Sequence, residues 1–169
     1  SEENHIVPGL ASHWKISEDG KTFQFRIDPN ARWSDGKPVV ARDVVSTWDL
    51  HMDEGILEPR LQITFGKYLE PKEISKYIVE VTSNEKHFKN FLDFGWSMQI
   101  FPSHIIDDLT AEEYLETFHF DMMTGTGPYT FIEDKMRKGK SLTLVRLNDW
   151  WQRDYEKNKQ FYEEKIQTA

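Results

Sequence analysis

The sequence predicts an α+β fold, or an irregular α/β fold, in which an antiparallel or mixed sheet packs against short helices. Apolar and polar residues alternate at 23–27 and at 77–82, as is typical of half-buried strands. Between them, residues 41–53 place apolar side chains at i, i+3, i+4, i+7 and i+11, which is the spacing of one helix face. Because strands and helices do not alternate strictly, a parallel βαβ sheet is disfavoured.

The elements expected in chain order are a hairpin in the first 28 residues, a helix at 41–53, a strand near 76–82, a short helix near 86–94, a strand end at 100–101, two short helices after 102 and 110, and a hairpin of 129–133 with 141–147. The first hairpin turns at residues 17–20, where glycine permits a positive φ. Asp43 lies in the first turn of its helix, where the dipole favours an anion. Ser103 is a candidate N-cap, and Thr110 with Glu113 has the pattern of a capping box.

Composition excludes several functional classes. The chain has 169 residues, enough for one domain with its own core. Its net charge of −8 argues against binding nucleic acid or an anionic membrane surface. It has no cysteine, which excludes disulfides, Cys-ligated metals and a cysteine nucleophile. No apolar stretch is long enough for membrane insertion, and the first residue is Ser, so we expect a processed or truncated piece of a longer protein.

No catalytic, metal or cofactor site is predicted. The glycine loop at 124–127 (TGTG) precedes Pro128 and a strand, whereas a phosphate loop precedes a helix. We therefore interpret this loop as a backbone turn that needs glycine. His119 and Asp121 could share a strand face, but no second pair has metal-ligand spacing. The basic segment 135–140 has the character of a solvated hairpin tip.

The six tryptophans divide into two predicted sets. The core set is Trp14, Trp33 and Trp48, and the set that faces a ligand or a missing partner is Trp96, Trp150 and Trp151. Residues 96–99 (WSMQ) combine an aromatic ring, a thioether and an amide, which suit a ligand wall, although a core segment would look the same. Adjacent Trp150 and Trp151 would place one ring on each side of an extended chain.

A series of motifs resembles the solute-binding proteins of peptide-type ABC importers, known as extracellular solute-binding protein family 5. The motifs lie at 9–14 (GLASHW), 17–25 (SEDGKTFQF), 31–45 (ARWSDGKPVVARDVV), 125–129 (GTGPY) and 146–151 (RLNDWW). Their order and spacing carry the resemblance over residues 9–151. The tail at 154–162 is similar to the oligopeptide and microcin-type branch. The sequence departs from the family at two positions. Leu147 replaces Asn, and Val40 replaces a Thr N-cap that would stabilise the start of the helix by about 1 kcal/mol.

The resemblance implies a partial first lobe of a two-lobed type II periplasmic-binding-protein fold. Residues 1–169 would form a single domain, with the second lobe and the hinge absent. The implied function is that of the substrate-binding component of an ABC importer, at the periplasmic or extracellular face of the cytoplasmic membrane. It would deliver peptides or similar small solutes to a permease, without catalysis and without a cofactor or metal.

The resemblance also suggests which residues face the ligand. The first choice is Trp96, Ser97, Met98 and Gln99, and the second is Thr126 and Gly127. Since only one wall of a cleft is present, we expect the chain alone to bind peptides weakly or not at all. One alternative is an aromatic-rich carbohydrate-binding module, which needs two coplanar exposed aromatic rings. The other is an acidic hydrolase, which needs a convergent carboxylate pair that the sequence does not locate.

Overall fold

The computed structural model describes residues 6, 8–119, 121–132, 137 and 139–153. The elements are β1 (Ala11–Ile16), β2 (Thr22–Ile27), α1 (Ala41–Met52), a 3-10 turn (Glu54–Ile56), α2 (Pro59–Phe65), β3 (Lys72–Ser75), β4 (Ile78–Thr82), α3 (Asn90–Ser97), α4 (Ser103–Ile106), α5 (Ala111–Phe118), β5 (Tyr129–Phe131) and β6 (Leu144–Arg146). No helix within these ranges is both long and apolar enough to cross a membrane. Residues 135, 136 and 138 of the basic segment and the tail at 154–162 lie outside the described residues.

The main sheet has four antiparallel strands in the order β1-β2-β4-β3, and β5 pairs with β6 in a separate two-stranded sheet. The predicted β1–β2 hairpin is confirmed, with Gly20 at φ +69° in its turn. Phe23 pairs with Val81 across β2 and β4, and both side chains are buried. The α+β class is therefore confirmed, with an entirely antiparallel sheet.

The core lies between this sheet and helices α1, α2 and α3. Phe25 of β2 stacks on Phe91 of α3, with ring centroids 5.3 Å apart and planes 6° from parallel. Of the tryptophans predicted to be internal, Trp33 is buried, whereas Trp14 and Trp48 are half-buried and pack against the edge of the core. Aromatic stacking thus attaches α3 to the sheet.

One local prediction is shifted along the chain and another is wrong. The short helix expected near 86–94 forms over Asn90–Ser97, and before it the Asn90 side chain donates to the Glu85 carbonyl across a turn. The strand end at 100–101 does not form, and the Phe101 N–H donates instead to Thr47 Oγ1 at 2.7 Å. By contrast, the capping box of Thr110 and Glu113 is confirmed.

The carboxylate of Asp43 is the most heavily hydrogen-bonded buried group described. One oxygen accepts the Ser103 N–H at 2.8 Å and the Ser103 hydroxyl at 2.6 Å. The other accepts the Trp33 indole N–H at 3.1 Å and the Val40 N–H at 2.9 Å. Ser103 is therefore not the N-cap of α4, because that position belongs to Pro102 and the Ser103 hydroxyl donates to Asp43. Val40 caps α1 with no side-chain hydrogen bond, as expected for Val in place of Thr.

We predict that Asp43→Asn lowers the free energy of unfolding by about 3 kcal/mol, since an amide cannot accept hydrogen bonds from both pairs of donors and leaves buried N–H groups unpaired. Urea unfolding followed by circular dichroism measures the loss. Asp49→Asn is the matched control, because Asp49 lies exposed on the same helix, and it should change stability by less than about 0.5 kcal/mol. Equal losses in the two variants would contradict the role given to Asp43.

His51, in the last turn of α1, is a second polar group held inside the protein. It is 5% exposed, and its ring stacks on Phe65 at 5.3 Å and meets the edge of Phe101 at 5.8 Å. Its Nδ1 has no hydrogen-bond partner among the described residues. Burial lowers the pKa of His51 from 6.5 to about 4. The imidazole is therefore neutral in the folded protein at pH values where the unfolded chain already protonates it.

We predict that this histidine makes the protein less stable as the pH falls from 6.5 to 4. Over that interval the unfolded state binds a proton that the folded state does not, so the free energy of unfolding drops by up to about 1.4 kcal/mol per pH unit. His51→Phe and His51→Leu should each remove this part of the pH dependence, measured by urea unfolding at several pH values. A slope that stays unchanged in both variants would refute the prediction.

Candidate functional site

The stretch 96–99 lies at the end of α3. The Trp96 indole is 92% exposed, and Ser97 and Gln99 are also exposed. Met98 ends the helix, its N–H donates to the Phe94 carbonyl at 3.0 Å, and its side chain packs against the edge of the core. The stretch therefore presents an aromatic ring, a hydroxyl and an amide on the surface and anchors itself through the thioether.

The exposed apolar surface continues along α3 beyond the residues that the sequence singled out. Phe88 just before the helix is 81% exposed, and Leu92 on the helix is 47% exposed. Together with Trp96 they follow a four-residue spacing, which places Leu92 and Trp96 on one helix face. The buried partners of the sheet, Phe91 and Phe94, occupy the opposite face. The sequence does place apolar residues on both sides of this short helix, a pattern that indicates an exposed apolar face in addition to the buried one.

The glycine loop at 124–127 is held in place from both sides. On one side, the Ser34 N–H donates to the Gly125 carbonyl at 2.8 Å, and the hydroxyls of Ser34 and Thr124 are 2.5 Å apart. On the other side, the Thr126 carbonyl accepts two indole N–H groups. Neither Gly125 nor Gly127 has a positive φ. The backbone conformation of this turn therefore does not require glycine, contrary to the prediction.

Trp150 and Trp151 do not separate to opposite sides of the chain as predicted. Both are half-buried and both donate to the Thr126 carbonyl, at 2.9 and 3.0 Å. Their ring centroids are 6.3 Å apart and their planes are inclined by 66°. Since a sugar-stacking platform needs coplanar exposed rings, this pair does not meet the requirement of the carbohydrate-binding alternative. The two indoles position the loop at 124–127.

Charged groups near these segments form short structural contacts. The His104 imidazole lies 2.7 Å from the Asp35 carboxylate. Burial opposes ionisation of Asp35, but hydrogen bonds from the Lys37 N–H and from His104 outweigh it and lower the pKa of that carboxyl. Asp49 is the opposite case, since partial desolvation of its carboxylate and the nearby Glu70 carboxylate raise its pKa, although the residue as a whole is exposed. No group of three His, Asp or Glu side chains that could hold a metal ion occurs in the described ranges.

The two candidate segments are therefore attached to different neighbours. Residues 96–99 continue from α3, whereas the loop at 124–127 is bound to the turn around Ser34 and to the two indoles. Met98 and Trp151 nevertheless pack against the same core cluster. The arrangement supplies hydrogen-bonding and apolar surface, which suits binding a solute.

Comparison with known proteins gives relatives over most of the chain. The peptidoglycan-binding protein YepA of Agrobacterium fabrum is 30% identical over 156 residues, which cover 91% of this chain and 24% of the relative. The periplasmic murein peptide-binding protein MppA of Escherichia coli is 42% identical over 59 residues, covering 35% of this chain and 11% of the relative. The solved structure of the oligopeptide-binding protein AppA from Bacillus subtilis, in complex with a nonapeptide, has a TM-score of 0.73 at 24% identity and covers 90% of this chain and 30% of that chain.

These matches establish the fold as part of a type II periplasmic-binding-protein fold. The chain spans only 22–24% of the length of relatives such as YepA that match most of it, so these relatives are about four times as long as the chain. The profile of bacterial extracellular solute-binding proteins, family 5 Middle, matches residues 5–166. The chain therefore belongs to the family 5 extracellular solute-binding proteins of bacteria.

Proposed function

We propose that this chain is part of the substrate-binding component of an ABC importer. It binds peptides or similar small solutes outside the cytoplasmic membrane and takes part in their delivery to a permease. Family membership supports this proposal, as do relatives named for binding murein peptide and peptidoglycan. The relatives are binding proteins, and we extend this to the chain itself by proposing that it has no catalytic activity. Within the larger fold it forms one domain, a part of the first lobe.

The proposed site rests on the Trp96 indole, which is 92% exposed at the end of α3. The opposite face of this helix buries Phe91 and Phe94. Leu92, one turn before Trp96 on the same helix face, is also exposed, and an exposed apolar patch of this kind marks a contact surface. The Trp96 ring offers apolar contact to a peptide, while the Ser97 hydroxyl and the Gln99 amide can both donate to and accept from main-chain groups. Together with Met98 beneath them, these residues form the proposed ligand wall.

The loop at Thr126 and Gly127 is proposed as a second contact. The Thr126 carbonyl is already occupied by the two indoles, so the loop would contact a ligand through its remaining polar groups. Its attachments to Ser34 and to the tryptophans keep it in one conformation before a ligand arrives. Such preorganisation lowers the entropy lost on binding.

We predict that short peptides such as trialanine and trileucine, added at millimolar concentration, shift the indole N–H resonance of Trp96 in the 15N-labelled chain. Trp96→Phe identifies that resonance by its disappearance. The Trp33 indole, buried and bonded to Asp43, serves as the internal control and should not move. An oligosaccharide at the same concentration should leave the Trp96 resonance in place.

Calorimetry with the same peptides completes the test. Because we propose that the chain supplies one wall of a two-lobed cleft, we expect affinity weaker than micromolar. Micromolar or tighter binding would contradict the view that the described fold supplies one wall only. A Trp96 resonance that moves with the oligosaccharide and not with any peptide would overturn the proposed function.

A further inference from the structure

An apolar pocket of about 130 Å³ opens beside the proposed ligand wall, between the sheet and α3. Its base is formed by buried residues of the core, and its rim includes Leu10, Phe25, Gly95, Met98 and Ile100. The four rim side chains are half-buried and Gly95 is exposed, so the pocket opens on the surface. None of the lining residues carries a charged or hydrogen-bonding side chain. The pocket can therefore hold only an uncharged apolar group.

Gly95 is the informative member of this rim. It lies inside α3, where glycine is a poorer helix former than alanine. A Cβ atom added there would lie 3.6 and 3.8 Å from two ring carbons of Phe25, which is ordinary van der Waals contact. Its φ is not positive. Neither crowding nor backbone conformation therefore requires glycine at this position.

Several glycines have a structural explanation, which Gly95 lacks together with Gly9, Gly125 and Gly127. Gly20 and Gly36 adopt φ of +69° and +86°, which L side chains rarely do. At Gly66, an added Cβ would come within 2.5 Å of the Gln62 carbonyl oxygen. At Gly95, an alanine methyl group would stand instead against Phe25 at the pocket rim and narrow the opening.

We infer that this pocket, named here the Gly95 pocket, receives a compact apolar group of the bound solute, such as a branched aliphatic or an aromatic side chain. The inference rests on the proposed function, because Met98 belongs both to the ligand wall and to the pocket. The volume agrees with this occupant, since an apolar cavity of roughly 150 Å³ accepts benzene. Glycine at position 95 keeps the pocket open at the expense of helix stability, as binding sites commonly do.

The pocket is tested with toluene, which needs no peptide-binding function. In the chain labelled with 13C at the methionine methyl groups, toluene should shift the Met98 signal in a saturable way. Met122 and Met123 do not line the pocket and serve as internal controls. Gly95→Ala should weaken toluene binding about tenfold, as expected for one methyl group in an apolar site, and should raise the midpoint of urea unfolding.

Gly9→Ala is the matched control. Gly9 is exposed, and a Cβ added there meets no atom within 4 Å. This variant should bind toluene as the unchanged chain does. The inference is overturned if toluene produces no saturable Met98 shift, or if Gly95→Ala binds toluene with undiminished affinity. The first result would mean that the concavity is only a packing feature, or a surface for another segment of protein. The second would mean that glycine at position 95 does not keep the pocket open.

Peptides separate this inference from the proposed function. Tripeptides with central Leu or Phe should shift the Met98 signal, and those with central Asp should not. If every peptide shifts Trp96 alike while toluene leaves Met98 unmoved, the pocket inference fails and the proposed function stands. If toluene shifts Met98 but no peptide shifts Trp96, the apolar pocket stands and the proposed ligand wall at residues 96–99 fails.

Discussion

The buried carboxylate of Asp43 joins segments that are far apart in the chain. It accepts hydrogen bonds from the Trp33 indole, from the start of α1 and from Ser103, which lies sixty residues further along the sequence. A carboxylate without such donors would be strongly disfavoured in a site only 1% exposed. With four donors it becomes a specific connection, because each donor must lie within hydrogen-bond distance of the same two oxygens.

Both candidate ligand segments depend on that connection. Asp43 holds Ser103, and Thr47 one turn later on α1 holds the Phe101 N–H, so the chain leaving the ligand wall is tied to α1. Trp33, the other partner of Asp43, is followed by Ser34, which bonds to the loop at Gly125. One buried anion thus positions two surface segments that do not bond to it directly.

Helix α3 shows how stability and binding surface are combined in one element. Its inner face stacks Phe91 and Phe94 on the sheet, which supplies the packing that a short helix needs. Its outer face leaves Trp96 in water, and Gly95 between the two faces lowers helix propensity without a steric reason. Packing of the inner face compensates for the low helix propensity of Gly95 and the exposure of Trp96. The outer face is left available for contact with a solute.

Local patterns sufficed for the β1–β2 hairpin, for α1 and for the capping box at Thr110, because alternation, helical spacing and caps depend on neighbouring residues. The order of the motifs likewise sufficed for the family. The course of residues 100–101, the role of Ser103 and the orientation of Trp150 and Trp151 could not be foreseen. Each depends on hydrogen bonds to groups that folding alone brings near, namely Thr47, Asp43 and the Thr126 carbonyl, and sequence spacing does not encode such distances.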